Sequence, residues 1–228
     1  MRRVLQSIAA LTLLVSRGAA EDLEAFLRAA TDAARPIHTV QAEGVLTSRA
    51  AGTTTRQAIK MIKRPNGDLE VELPEGGVRA LLTAGGAAWL RAGTAPPAPF
   101  ARDAPLAGAE FTREDLEPFA AARFAAPTIV DRAAEEMTVS LQPKSSQYRL
   151  VVVTFDRHKR VPLKTLAYKD SVSSLVKMRR ESGHVLIGGR WLPSEITIDH
   201  FPLRASSALS LRWSEAPDIT ARPLPPSR

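Results

Sequence analysis

The stretch "IKMIKRPNGDLEVELPEG", Ile59 to Gly76, decides how this chain folds. Apolar and polar residues alternate up to Lys63-Arg64, the chain turns through Pro65 and Asn66-Gly67, and alternation resumes at once from Leu69. A period of two on both sides of a short Pro/Asn/Gly turn marks two antiparallel strands. In "DLEVELP" Leu69, Val71 and Leu73 share one face, and Asp68, Glu70 and Glu72 the other, which is expected to be wet. Neighbours on a strand point to opposite sides, so Lys63 and Arg64 cannot share a fate. One of the two cations is expected to face inward.

The same period extends over most of the chain. "TVQAEGVLTSR", "TTRQAIKMIKR", "RALLTAGGAAWLRAG", "EEMTVSLQP", "QYRLVVVTFDR", "PLKTLAYKD", "LVKMRRESGHVLIGGRWLPSEITIDHF" and "SALSLRWSEA" alternate or run apolar between turn residues, with no helix between consecutive strands. Strands joined in this way build an antiparallel sheet, and the class is mainly β with few helices. Helical spacing occurs in "EDLEAFLRAATDAARP", with Leu23, Phe26, Leu27, Ala30 and Ala34 on one stripe and Pro36 as the stop. A second short helix is expected in "FTREDLEPFAAARF", where Thr112 and Asp115 have capping-box spacing and Leu116 and Phe119 supply the apolar face.

Residues 1–20 read as a secretory signal peptide: a Met1-Arg2-Arg3 head, an apolar run from Val4 to Val15, and small residues before a cleavage point after Ala20. The remaining domain, 21–216, is followed by an extended Pro-rich tail, 217–228. Residues 1–20 hold three of the 31 Lys and Arg and none of the 24 acids, so export leaves 28 bases against 24 acids, a net of +4. Such a scattered, modest excess gives no motive for nucleic-acid binding. The chain has no cysteine, which rules out a disulfide framework and an acylated N-terminal cysteine alike. About 208 residues bury enough surface without either.

Catalytic chemistry finds no purchase. His38, His158, His184 and His200 have no helical i, i+4 partner, and GxSxG, a P-loop and a cysteine nucleophile are absent from the sequence. Asp199 and His200 are strand neighbours that point apart. Glu114-Asp115 and Glu135-Glu136 read as caps or solvated edges. No enzyme, cofactor, metal or catalytic residue is expected. Large apolar groups do collect where polar cover is usual: Phe100, Phe111, Phe119 and Phe124 fall in loop and short-helix territory, near Trp89. They either plug the end of the sheet or form a lid over an apolar hollow.

The blocks "IKMIKRPNGDLEVEL", "LLTAGGAAWLRAG", "AGAEFTREDL", "KTLAYKDSVSSLVKM" and "IGGRWLPSEITIDHF" together resemble the outer-membrane lipoprotein-sorting proteins, the LolA-like family of Gram-negative periplasms. The similarity runs from about Ala20 to Ala216, with Gly85-Gly86 standing where the family usually has "DG". This resemblance implies an unclosed, curved antiparallel β-barrel with a helical lid over a hydrophobic cavity. It further implies a soluble, monomeric periplasmic carrier without a lipid anchor. The carrier would take the acyl chains of a lipoprotein or lipid from an inner-membrane transporter to an outer-membrane acceptor. A lipid- or stress-sensing regulatory subunit, or an accessory of a resistance-nodulation-division type permease, is the alternative on the same fold. In the family the arginine of "KRPN" reaches into the cavity and bonds the lid, which maps to Arg64. Met61, Trp89, Phe100, Phe111, Leu116, Phe119 and Phe124 are the candidate cavity or lid lining.

Overall fold

Strand pairing organises the chain from end to end. The computed structural model describes residues 23–216, so the signal peptide expected at 1–20 and the tail expected from 217 lie outside the described residues. Helix α1 (residues 23–33) comes first. There follow β1 (Val40–Ala50), β2 (Thr53–Lys63), β3 (Leu69–Leu73), β4 (Val78–Leu82), β5 (Ala88–Ala92) and the two-residue β6 (Ala98–Pro99). A single turn, α2 (Arg113–Leu116), and a 3₁₀ turn, Ala121–Arg123, lead into β7 (Phe124–Arg132), β8 (Glu136–Pro143), β9 (Leu150–Asp156), β10 (Pro162–Tyr168) and β11 (Leu175–Ser182). The small hairpin β12 (Val185–Ile187) and β13 (Arg190–Leu192) precedes β14 (Glu195–His200) and β15 (Ala205–Glu215).

Thirteen strands join one antiparallel sheet in the order β6-β5-β4-β3-β2-β1-β15-β14-β11-β10-β9-β8-β7. Two meanders meet where β1 lies beside β15, with Val40 opposite Glu215 and Arg49 opposite Ser206. Gly44 permits this seam, because a Cβ there would come within 1.9 Å of the Ser210 carbonyl oxygen. The sheet curls without closing: β6 and β7 are its two edges, and each carries a proline, Pro99 and Pro127. Proline is tolerated at an edge, where it withholds a donor from any added strand.

Two differences from the sequence-based expectation have local causes. The helix over "FTREDLEPFAAARF" stops at Leu116 because Glu117 precedes Pro118 and is pushed to φ −63°, ψ 133°. Phe119 therefore sits on an irregular segment. Strand β7 was not anticipated, since Pro127 and two register shifts, Ala125/Thr128 and Ile129/Asp131, break its alternation.

The curl divides the interior into two apolar clusters. One gathers Ile59, Met61, Leu69, Val71, Leu73, Ile198, Leu209 and Leu211 from the sheet with Phe100, Leu106 and Phe111 from the loop after β6. The other sets Leu23, Phe26, Leu27 and Ala30 of α1 against Met137, Val139, Val153 and Phe155 of β8 and β9. Phe155 receives Phe26 and Phe119 edge-on at 5.5 and 5.1 Å between ring centres. The β12–β13 hairpin anchors the far end of α1. Its two-residue turn has both Gly188 and Gly189 at positive φ, the Gly188 carbonyl accepts the Ile37 N–H at 2.9 Å, and Arg190 Nε donates to the carbonyls of Asp32 and Arg35.

Candidate functional site

Between the two clusters the packing fails, and a cavity of about 150 Å³ remains. Its apolar wall is Leu116, Phe119, Phe124, Val151, Val153, Val161, Ala167, Trp191 and Leu192, drawn from both clusters and from the β12–β13 hairpin. Ala34 at the end of α1 and the segment from Glu114 to Phe119 lie across it. These two covering pieces are tied together, since the Ala121 N–H donates to Thr31 Oγ1 of α1 at 2.9 Å. The α2 turn is itself held by its cap: Asp115 accepts the Thr112 N–H at 2.8 Å and the Thr112 hydroxyl at 2.7 Å.

Opposite the apolar wall runs a charged one. On β11 the odd positions of "LVKMRRES" face inward, so Lys177, Arg179 and Glu181 line the cavity in a row. Lys177, almost fully buried, donates to Asp115 at 2.7 Å and to the Glu110 carbonyl at 3.1 Å. Arg179 pairs with Glu181 at 2.8 Å and reaches the Asp115 carbonyl. From the lid side, Glu117 gathers Arg102 at 3.3 Å, Arg113 at 3.0 Å and Arg123. Burial pulls the Arg123 guanidinium below its usual range and pushes the Glu114 carboxyl above its own, although the Ser146 hydroxyl donates to Glu114 at 2.9 Å. Burial, with Asp115 and Glu114 nearby, also raises the Tyr148 hydroxyl.

The Lys63-Arg64 pair is split by the strand. Ile59 and Met61 fill the first cluster, so parity puts Lys63 on the same side, and its side chain lines the cavity. Arg64 turns the other way: its Nη2 donates to Glu70 at 3.2 Å, and Arg79 Nε donates to the same carboxylate at 2.7 Å. The guanidinium assigned to the lid by resemblance thus bonds a neighbouring strand, and the ammonium beside it takes the inward place. Glu70, expected on a wet face, is buried under this pairing. Lys63 lies 5.5 Å from the centre of the Trp213 ring. Burial holds its pKa down at about 8, with Glu181 raising it and Arg179 lowering it.

The other candidate residues divide three ways. Leu116, Phe119 and Phe124 line the cavity. Met61, Phe100 and Phe111 pack into the first cluster, away from the cavity wall. Trp89 lies between Ala88 and Leu90, which face that cluster, and so projects from the opposite side of the sheet, in register with Leu81, Glu70 and Ile62. Sequence reasoning missed Lys63, Lys177, Arg179, Glu181, Tyr148 and Trp191. Asp199 pairs with Arg180 at 3.0 Å, whereas His200 Nδ1 meets Glu110 at 2.7 Å. Among the described residues no three His, Cys, Asp or Glu side chains converge on a metal position, and no helix is long and apolar enough to cross a membrane.

An unclosed antiparallel sheet, curled around a lidded apolar cavity, is the LolA-like fold, and solved structures of that kind superpose on the chain. A putative outer membrane lipoprotein-sorting protein domain from Vibrio parahaemolyticus matches with TM-score 0.70 at 14% identity, covering 85% of this chain and 92% of its own. A LolA superfamily protein from Nitrosomonas europaea gives 0.66 at 17%, covering 86% and 94%. A DUF1329 family protein from Desulfovibrio piger gives 0.70 at 12%, covering 85% and 95%. No protein-family profile and no curated protein matches the chain by sequence.

Proposed function

We propose that this protein binds an acyl chain of a lipoprotein or lipid in the cavity and carries it through the periplasm between an inner-membrane transporter and an outer-membrane acceptor. The observation that carries this reading is the unfilled, largely apolar space between two well-packed clusters, covered by Ala34 and residues 114–119. A folding chain gains by closing such gaps, and a retained one has a use. The likeness to a lipoprotein-sorting domain agrees with it.

Size and affinity fit a carrier. A cavity of about 150 Å³ takes a benzene-sized group, about six carbons, a stretch of one chain rather than several whole chains. Six methylenes at about 0.8 kcal/mol each give about 5 kcal/mol before ordering costs, so burial in the cavity alone gives submillimolar binding at best and the cargo can leave. Larger cargo requires the covering segments to move apart, which weakens affinity further by the free energy of their contacts.

Titration with a fluorescent fatty-acyl probe tests the reading. The half-buried Thr165 points into the cavity, and Thr165→Trp fills it. Saturable binding by the native protein and at least a tenfold loss in a folded Thr165→Trp variant are expected. Undiminished binding in that variant would place the acyl site elsewhere.

A further inference from the structure

Five cations line the cavity: Lys63, Arg102, Arg123, Lys177 and Arg179. Four of them have a carboxylate within 3.3 Å, Lys177 at Asp115, Arg102 and Arg123 at Glu117, and Arg179 at Glu181. Lys63 is different. Among the described residues no carboxylate stands within ion-pair distance of its ammonium: Glu181 and Arg179 act on it from beyond that distance, and the Trp213 ring centre lies 5.5 Å away. Its backbone sits between Val40 and Leu69, both fully buried, with Trp213 and the cavity beyond. An ammonium half withdrawn from water with no acid in contact costs stability, and a methionine of similar length would pack there without that cost. Stability does not account for the lysine.

The walls beside it do. Arg179, two places from Glu181 on β11, presents a guanidinium whose Nε is buried without a hydrogen-bond partner among the described residues. Trp191, Leu192 and Val161 of the apolar wall border the same space. A cation awaiting a counter-charge, a second cation next to it and a hydrocarbon surface adjoining both make a complement to one kind of molecule, an amphiphile whose chain starts at a negatively charged group.

We infer that Lys63, assisted by Arg179, is a recognition point for a carboxylate or phosphate at the head of the bound chain, so that the cargo is an anionic amphiphile rather than a neutral one. This rests on the acyl-chain reading above and adds the chemistry of the head. The bound oxyanion takes the place of the missing acid partner: Lys63 Nζ donates to it, and the chain runs from there towards Val153 and Phe119.

Isothermal titration at pH 7 with dodecyl phosphate, laurate, monolauroylglycerol and inorganic phosphate, each below micelle formation, tests it. The native protein is expected to bind both anionic amphiphiles about tenfold or more tighter than the neutral one, the amount one charge-assisted hydrogen bond supplies. Lys63→Met removes the preference, bringing both anionic amphiphiles to the affinity of monolauroylglycerol for the same variant, Lys63→Arg keeps it, and Arg179→Gln reduces it. Lys63→Gln serves in place of Lys63→Met if that variant does not fold. Equal affinity for charged and neutral heads, or a preference that survives loss of Lys63, overturns the inference and leaves acyl binding standing. Inorganic phosphate that binds as tightly as dodecyl phosphate also overturns it, since the site would then read a free anion. Failure of every amphiphile to bind removes both this inference and the function on which it rests.

Discussion

Two adjacent cations with opposite fates show how residue-scale physics sets the site. Arg64 and Arg79 share Glu70 in a buried group of three, with side-chain exposures of 11%, 15% and 11%. Two guanidiniums around one carboxylate leave a net positive charge under cover, so removing the acid is the damaging change. Glu70→Gln is expected to destabilise the fold by about 3 kcal/mol in urea unfolding, with acyl-probe affinity unchanged within twofold. A large loss of affinity at unchanged stability would mean that this cluster belongs to the site. Lys63 makes a pH-dependent contribution of the opposite sense. Its pKa is about 8 folded and 10.5 for a free lysine, so between these values the unfolded chain holds the proton more firmly and stability rises with pH. Below pH 8 both states are protonated and the burial cost is fully present. Lys63→Met should therefore exceed the native protein in stability at pH 7, with the gap narrowing from pH 8 towards 10.5. A gap that does not change over this window would show that Lys63 is solvated. The sequence predicted that one of the pair turns inward, because alternation requires it. Which one was not legible, since the parity depends on where the strand ends relative to Met61, and the resemblance pointed to the neighbour.

At the scale of elements, the two pieces over the cavity are held differently: residues 114–119 by the ion pairs of Asp115 and Glu117, and α1 by its apolar stripe and the bonds at its far end. Helix α1 and the Thr112–Asp115 cap were legible because apolar spacing at three and four residues and an acid three places after a threonine are local signals. Pro118 was visible too, but the apolar run beyond it suggested a longer helix than the backbone before a proline allows. The inward charges of β11 were hidden for another reason: "LVKMRRES" carries cations on both faces, so charge marks neither as wet. Arg190 is the contact to test. Its Nε donates to the carbonyls of Asp32 at 3.3 Å and Arg35 at 3.2 Å, where a helix end favours a cation. Arg190→Ala should lower global stability by less than about 1 kcal/mol yet speed hydrogen exchange in residues 23–33 several-fold. Exchange that rises uniformly over the sheet would contradict a local role.

For the whole molecule, the central fact is a sheet that curls far enough to make an interior yet stays open between β6 and β7. Curl and class were legible from hairpin-linked alternation, whereas β7 was not, because the same proline that guards the edge erases its pattern. That guard has a measurable consequence. Pro127→Val restores a donor to an exposed strand that already presents Val130 at 60% exposure, and self-association in light scattering should increase. An unchanged scattering signal would mean the edge is protected by its bulges alone. The openness matters because two clusters that never merge leave the cavity between them, with the two covering pieces joined to each other through the Ala121–Thr31 hydrogen bond. Native mass spectrometry of the protein isolated gently from its cells measures the outcome directly. A species heavier than the bare chain by the mass of one acylated molecule is expected, lost when Thr165→Trp fills the cavity. A protein that flies without bound mass, and takes up none when mixed with acyl amphiphiles, would contradict it.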